Sequence, residues 1–238
     1  MEIFQNDLLC SFKRKYSFAE GITGKTFLLL QQSDEPRPMR INTGKFKGRR
    51  FNPPNNLPAR PTTDFAKEGL FNILTNNFAL DEVSFLDLFS GTGSISFEMA
   101  SRGCEDIVSV ELDKRSIDFI KKMSDDLEMN INILRMDVFE YIRSTKKKFD
   151  IIFAGPPYPL ENIPALPEEV FEMQLLNPGG WFILETNQKY TFDDHPNFLR
   201  KRNYGTTFFH VFEMGTRDKG EIGTVEEKGN ADDADLAD

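Results

Sequence analysis

Downstream of residue 60 the chain alternates between short apolar runs and longer stretches whose apolar residues return every third or fourth position. Runs of the first kind, at residues 83–88, 107–111, 132–135, 149–154 and 181–185, have the length and composition of buried strands. Stretches of the second kind, at 93–102, 114–128, 138–144 and about 167–176, predict helices; Ile117, Ile120, Met123 and Leu127 line one side of the second. Ahead of them Thr62 or Thr63 can cap a helix whose Ala66, Leu70, Ile73 and Leu74 share a face. Asn177-Pro-Gly-Gly180 reads as the turn into the fifth strand. Strands joined by helices in this way predict an α/β fold, a mostly parallel sheet with helices on both faces. Two closing strands, about 199–203 and 206–212 around Tyr204-Gly205, predict an antiparallel hairpin at the edge of a seven-stranded sheet.

The flanks differ in character. Residues 1–38 have no sustained period and predict a poorly ordered extension. Residues 39–51 look like short strands broken by glycines and, with the Pro/Asn-rich loop 52–61, form a basic hairpin or arm. Residues 62–213 hold the α/β domain, and the acid-rich stretch 214–238 predicts a disordered tail. With 39% hydrophobic residues, a chain of 238 has material for one such domain. Its net charge of −9 argues against a nucleic-acid partner until the charges are located. Residues 213–238 carry nine acids against three bases, whereas residues 37–60 carry seven bases and no acid. A patch of that kind steers phosphate toward one face; a strand edge guarded by lysine and arginine accounts for it equally well. The apolar run at 27–30 is far short of a bilayer span, and the first residues lack the basic-then-apolar order of a secretory leader. Cys10 and Cys104 make neither a disulfide framework nor a metal site. These features predict a cytoplasmic protein with no membrane contact and no metal.

The sharpest local signal is the run Asp87-Leu-Phe-Ser-Gly-Thr-Gly93. An apolar strand ends in a carboxylate, and a glycine turn opens a helix. Gly91 and Gly93 permit positive φ and let a ligand approach the backbone, as nucleotides do at the strand ends of doubly wound sheets. Glu111 closes the next strand, 20 residues after Gly91, where an acid can accept both ribose hydroxyls of a nucleoside. A dinucleotide and S-adenosylmethionine both fit that description. A carboxylate beside the turn repels a pyrophosphate and attracts a sulfonium, so Asp87 favours the methyl donor. Asp137, after the third strand, can accept from an adenine amino group or cap the following helix.

A second signal is Gly155-Pro-Pro-Tyr158, directly after the strand 149–154. Two prolines force extended backbone and leave carbonyls without neighbouring N–H groups, so Pro156 and Pro157 offer fixed acceptors beside the flat ring of Tyr158. The arrangement suits an extruded base, its ring stacked and its amino group donating. His195 and His210 pair with no nucleophile and read as structural.

In order and spacing, Arg60-Pro-Thr-Thr-Asp64, Asp87-Leu-Phe-Ser-Gly-Thr-Gly93, Val110-Glu111 and Gly155-Pro-Pro-Tyr158 resemble the RsmD family, as does the opening Met39-Arg-Ile with Gly44-Lys45 and Gly48-Arg49. The resemblance covers about residues 39–213. It implies a Rossmann-like class I methyltransferase that uses S-adenosylmethionine to methylate the guanine N2 amino group of small-subunit ribosomal RNA, free or in the assembling subunit. Asp87, Phe89, Gly91, Gly93, Glu111 and Asp137 then surround the donor, with Thr62 and Thr63 placed over it by the resemblance alone. Arg40, Lys45, Lys47, Arg49, Arg50 and Arg60 are the candidate phosphate contacts. One position departs from the family pattern, which has Asp or Asn where this chain has Gly155. A ring-conjugated amine is a poor nucleophile, and losing an oriented acceptor typically costs on the order of 2.7–4 kcal/mol, or 10²–10³ in rate. Three outcomes follow: a slowed enzyme, another group standing in, or a relative that binds donor and RNA with little turnover. An amine methyltransferase acting on another RNA, DNA or protein shares the Pro-Pro-Tyr logic.

Overall fold

The computed structural model describes residues 38–54, 62–157 and 160–215. Expectations for Cys10, Arg60, Tyr158, the first 37 residues and the tail beyond residue 215 lie outside them. In chain order the elements are β1 (Met39–Arg40), β2 (Arg50–Phe51), α1 (Asp64–Thr75), β3 (Ser84–Leu88), α2 (Ser94–Ser101), β4 (Asp106–Glu111) and α3 (Lys114–Asp126). They continue with β5 (Ile131–Arg135), α4 (Val138–Ser144), β6 (Phe149–Ala154), a 3₁₀ turn (Ile163–Ala165), α5 (Leu166–Glu172), β7 (Leu176–Thr186), β8 (Phe198–Tyr204) and β9 (Thr207–Glu213). Seven strands form one sheet in the order β5-β4-β3-β6-β7-β9-β8. Pairing is parallel from β5 through β7, and β9 runs antiparallel to both its neighbours. The chain winds outward from β3 to β5, then returns to lay β6 on the other side of β3. Strand order reverses there, and such a switch point leaves a crevice beyond the strand ends.

Alternation along the strands sorts the core onto two faces. Phe85, Ile107, Ile151, Phe153, Ile183 and Phe209 pack with Ala66, Leu70, Phe71 and Leu74 of α1 and with Ile95 and Met99 of α2. Leu86, Leu88, Val108, Val110, Ile152 and Phe182 pack with Val138 and Ile142 of α4 and Leu166 and Val170 of α5. Thr63 caps α1 by accepting from the Ala66 N–H at 3.2 Å. Among the described residues no helix is long and apolar enough to cross a membrane.

Two expectations are corrected. The helix predicted for 167–176 ends at Glu172, because Gln174 takes φ +53° and the Leu175 N–H folds back to Val170 O. Asn177-Pro-Gly-Gly180 is not a turn ahead of a strand but part of β7, whose register with β6 shifts between Phe149 and Ile151. Asn177 Nδ2 donates to Asp150 Oδ1 at 2.8 Å, and a Cβ at Gly180 would lie 2.9 Å from Asp150 O. Glycine admits the backbones that closely, and the result is a bulge.

The basic segment forms a two-stranded antiparallel hairpin whose apolar side is docked on the domain. Met39, Ile41 and Phe51 pack with Phe97, Phe119 and Ile120. Gly44, at φ +84°, lies so close to Ser101 that a Cβ there would overlap Ser101 O. The buried Glu98 carboxylate accepts from the Asn42 and Thr43 N–H groups at 2.7 and 2.9 Å and pairs with Arg102 at 3.0 Å. Lys67, 1% exposed on α1, donates to the Arg40 carbonyl and lies 3.9 Å from Glu98. Burial lowers the Lys67 pKa, with Glu98 and then Asp64 opposing the shift. Breaking such a buried pair from one side costs about 3–5 kcal/mol. Glu98→Gln is therefore expected to lower stability by about that amount in urea unfolding, with partial recovery on adding Lys67→Met.

Candidate active site

Register across the sheet aligns the predicted residues. Ser109, Asp87, Phe153 and Ile183 are neighbours on adjacent strands. Two residues further on, the same face carries Glu111, Gly155 and Glu185 at the carboxyl ends bordering the crevice, while Phe89, its φ positive, turns to the opposite face and packs there with Phe139. Asp87 is buried, and its Oδ2 accepts from Ser96 Oγ at 2.6 Å, with Ser109 Oγ 2.7 Å beyond. Burial pushes the Asp87 carboxyl up to about 7; the Ser96 hydrogen bonds oppose this, and the charges of Glu111 and Glu185 add to it.

The turn after β3 follows from its glycines. Phe89, Gly91 and Gly93 take φ values of +60°, +53° and +75°. At Phe89 that conformation costs about 1–2 kcal/mol, and its ring meets Phe139 edge-on at 6.4 Å. A Cβ at Gly93 would come within 3.0 Å of Ile120. Glu111 holds the turn in place, its Oε2 accepting from the Gly91 N–H at 2.8 Å, its Oε1 from the Leu112 and Asp113 N–H groups at 2.8 and 2.9 Å. A carboxylate has about four acceptor sites, so the Glu111 expected to meet ribose hydroxyls also anchors the loop. Of the two readings of Asp137, the structure displays the cap: Oδ1 accepts from the Phe139 and Glu140 N–H groups at 2.9 and 3.1 Å.

Beyond β6, the Gly155 N–H donates to Leu88 O at 3.2 Å, keeping the two central strands paired to their ends. Pro156 is buried and Pro157 exposed. The Pro157 carbonyl, expected to stand free, accepts from the Leu160 N–H at 2.9 Å. Thr62 and Thr63 divide their tasks: Thr63 caps α1, and Thr62 Oγ1 donates to Glu185 Oε2 at 2.6 Å. Arg40, Lys45, Lys47, Arg49 and Arg50 are exposed on the hairpin; Arg40 also pairs with Asp64 at 3.6 Å. Among the described residues no group of His, Cys, Asp or Glu has metal-holding geometry. Sequence reasoning missed Ser96, Lys67, Glu98 and Glu185. Glu185 had a usable signal, since it closes an apolar strand as Asp87 and Glu111 do.

The residues present suit a cationic nucleoside: carboxylates crowd one edge, and the buried one among them keeps its proton to near neutrality. With this strand order, that arrangement defines a Rossmann-like methyltransferase of the S-adenosylmethionine-dependent class. Comparison with known proteins narrows the class. The family model described as Conserved hypothetical protein 95 matches residues 39–213, and the chain belongs to that family, the RsmD family. A relative from Buchnera aphidicola subsp. Baizongia pistaciae, named Ribosomal RNA small subunit methyltransferase D, is 31% identical over 131 residues, 55% of this chain and 66% of that protein. A hypothetical protein of Thermus thermophilus has a solved structure with TM-score 0.66 and 26% identity, covering 74% of this chain and 99% of that one. A T. thermophilus 16S rRNA N2 methyltransferase (RsmC), solved with AdoMet and guanosine, shares the fold with TM-score 0.59 and 22% identity, over 74% of this chain and 49% of its own.

Asp87 makes stability depend on pH. Its carboxyl ionises near 3.8 in the unfolded chain and near 7 in the fold, so the unfolded state loses its proton first. The contribution is fully present below about pH 4 and is lost as pH rises through 7, roughly 4 kcal/mol in all. Asp87→Asn keeps an acceptor for Ser96 and removes the loss. Relative to the parent chain, its stability in urea unfolding is expected to rise by about 2–3 kcal/mol between pH 5 and pH 8.

Proposed function

We propose that this protein transfers the methyl group of S-adenosylmethionine to the exocyclic N2 of a guanine in small-subunit ribosomal RNA. One observation carries the reading: Asp87, Glu111 and Glu185 close adjacent parts of one sheet edge, and burial keeps Asp87 partly protonated near pH 7. A cation restores its charge, whereas a pyrophosphate adds repulsion. The donor supplies a methyl carbon made electrophilic by a positive sulfur, so the reading calls for no metal. Asp87, Phe89, Gly91 and Gly93 hold its cationic end, Glu111 the ribose and Asp137, whose Oδ1 caps α4, the adenine edge through its other oxygen, with Thr62 and Thr63 above. Gly155, Pro156, Pro157 and Tyr158 receive the base.

The name of the Buchnera relative supports ribosomal RNA as the substrate class, and the exposed cations of the hairpin supply a sequence-independent grip on phosphate. Arg40, Lys45, Lys47, Arg49 and Arg50, with Arg60, fill that role. Such a substrate puts the protein in the cytoplasm, where small subunits assemble. Gly155 favours a second reading, a relative that binds donor and RNA with little turnover.

Incubation with methyl-labelled donor and hypomethylated small-subunit RNA or particles, followed by nucleoside mapping, tests the proposal. The expected product is N2-methylguanosine, with S-adenosylhomocysteine binding by calorimetry that Asp87→Asn reduces at least tenfold. Binding without label in RNA selects the second reading. Label on another nucleoside, or none with no binding, overturns the first.

A further inference from the structure

Gly155 stands where the family pattern has a carboxylate or amide, yet nothing in its backbone calls for glycine. Its φ is not positive, and the atoms nearest to a Cβ there would be two of the Phe153 ring at 3.3 and 3.8 Å and Glu185 Oε2 at 3.9 Å. The second of those neighbours is informative. Because Phe153 pairs with Ile183 across β6 and β7, residues 155 and 185 sit side by side at the strand ends, on the same face. Glutamate carries one more methylene than aspartate. From the neighbouring strand it therefore reaches over the glycine, into the space an aspartate at 155 would use. Thr62 donates to the same oxygen at 2.6 Å and fixes its direction. Glu185 is half-buried, at the rim of the crevice.

We infer that Glu185 is a catalytic residue: its carboxylate replaces the missing oxygen at 155, accepting a hydrogen bond from the amine that is methylated. The inference rests on the methyl-transfer reading and deepens it. Accepting from one N–H keeps the nitrogen lone pair out of conjugation with the ring and aims it at the incoming carbon. The nitrogen pair forms the new N–C bond as the C–S pair stays on sulfur, and the surplus N–H proton passes to the Glu185 carboxylate and on to water. Bonds, charges and protons then balance with no further reactant. Glycine at 155 is what leaves room for the longer side chain; an aspartate there would set two carboxylates against each other.

The full chain carrying Glu185→Met, Glu185→Gln, Gly155→Asp, and Gly155→Asp with Glu185→Met tests this. Readouts are label incorporation into small-subunit RNA, S-adenosylhomocysteine affinity by calorimetry, and urea midpoints. Methionine keeps the length and removes the acceptor, so incorporation is expected to fall 10²–10³-fold while S-adenosylhomocysteine still binds, since Asp87 and Glu111 remain in place. Glutamine retains an acceptor oxygen and is expected to stay within about tenfold of the parent. Adding Gly155→Asp to Glu185→Met is expected to restore at least tenfold, since it returns an acceptor to the same space. Gly155→Asp alone should lower the urea midpoint more than it does beside Glu185→Met. Glu185→Met with undiminished turnover, or a double variant no faster than Glu185→Met, overturns the inference while leaving donor binding and the parent reading intact. A parent protein that binds no S-adenosylhomocysteine and incorporates no label overturns both.

Discussion

A parallel sheet delivers the last side chains of its strands to one edge, and in this protein that edge gathers Glu111, the last residue of β4, with Asp87 and Glu185, next to last on β3 and β7. Like charges gathered at one edge repel, and the structure meets that repulsion locally. Asp87 keeps its proton to near pH 7, Glu111 spreads its charge over three backbone N–H groups, and Glu185 takes the Thr62 hydroxyl. Two of these arrangements also fix a loop: Glu111 sets the glycine turn, and Thr62 ties the start of α1 to the end of β7. The strained φ at Phe89 belongs to the same compromise, because it lets the chain leave β3 sharply enough to open α2 beside the crevice.

The hairpin is part of this arrangement. Lys67 and Glu98 bury opposite charges between α1, α2 and the hairpin turn, so the exposed cations stand on a rigid support rather than a loose arm. Thr92, inside the glycine turn, contacts the Met39 sulfur at 3.4 Å, which joins the basic face to the donor end of the sheet. Phosphate contacts and the crevice therefore share one scaffold.

Much of this was legible beforehand. The alternation of apolar runs and helical periods placed every strand of the main sheet, usually within a residue or two, because burial on both faces leaves an unbroken apolar signature. The strand-end acids and glycines carried their own meaning, since few residue types tolerate a left-handed turn or a carboxylate at a sheet end. The bulge in β7 was not legible, for Asn-Pro-Gly-Gly carries turn chemistry, and it joins the sheet through Met214, which accepts from the Gly179 N–H at 2.8 Å and donates to Gly180 O at 2.9 Å. Nor was Gly69, which reads as a weak helix residue until Tyr204 lies against it, closer than any Cβ would permit. The Pro157 carbonyl looked free because no local pattern pairs it with the Leu160 N–H.

Local pattern along the chain was enough for the succession of strands and helices, the class of fold and the chemical types lining the donor end, since these depend on period, turn chemistry and near neighbours. Folding in three dimensions selected which groups meet: Glu185 beside Gly155, Lys67 against Glu98, Thr62 on Glu185. Each pairing joins residues 30 or more positions apart. They are set by sheet register and helix packing, so their consequence for charge and catalysis appears only once the chain has closed on itself.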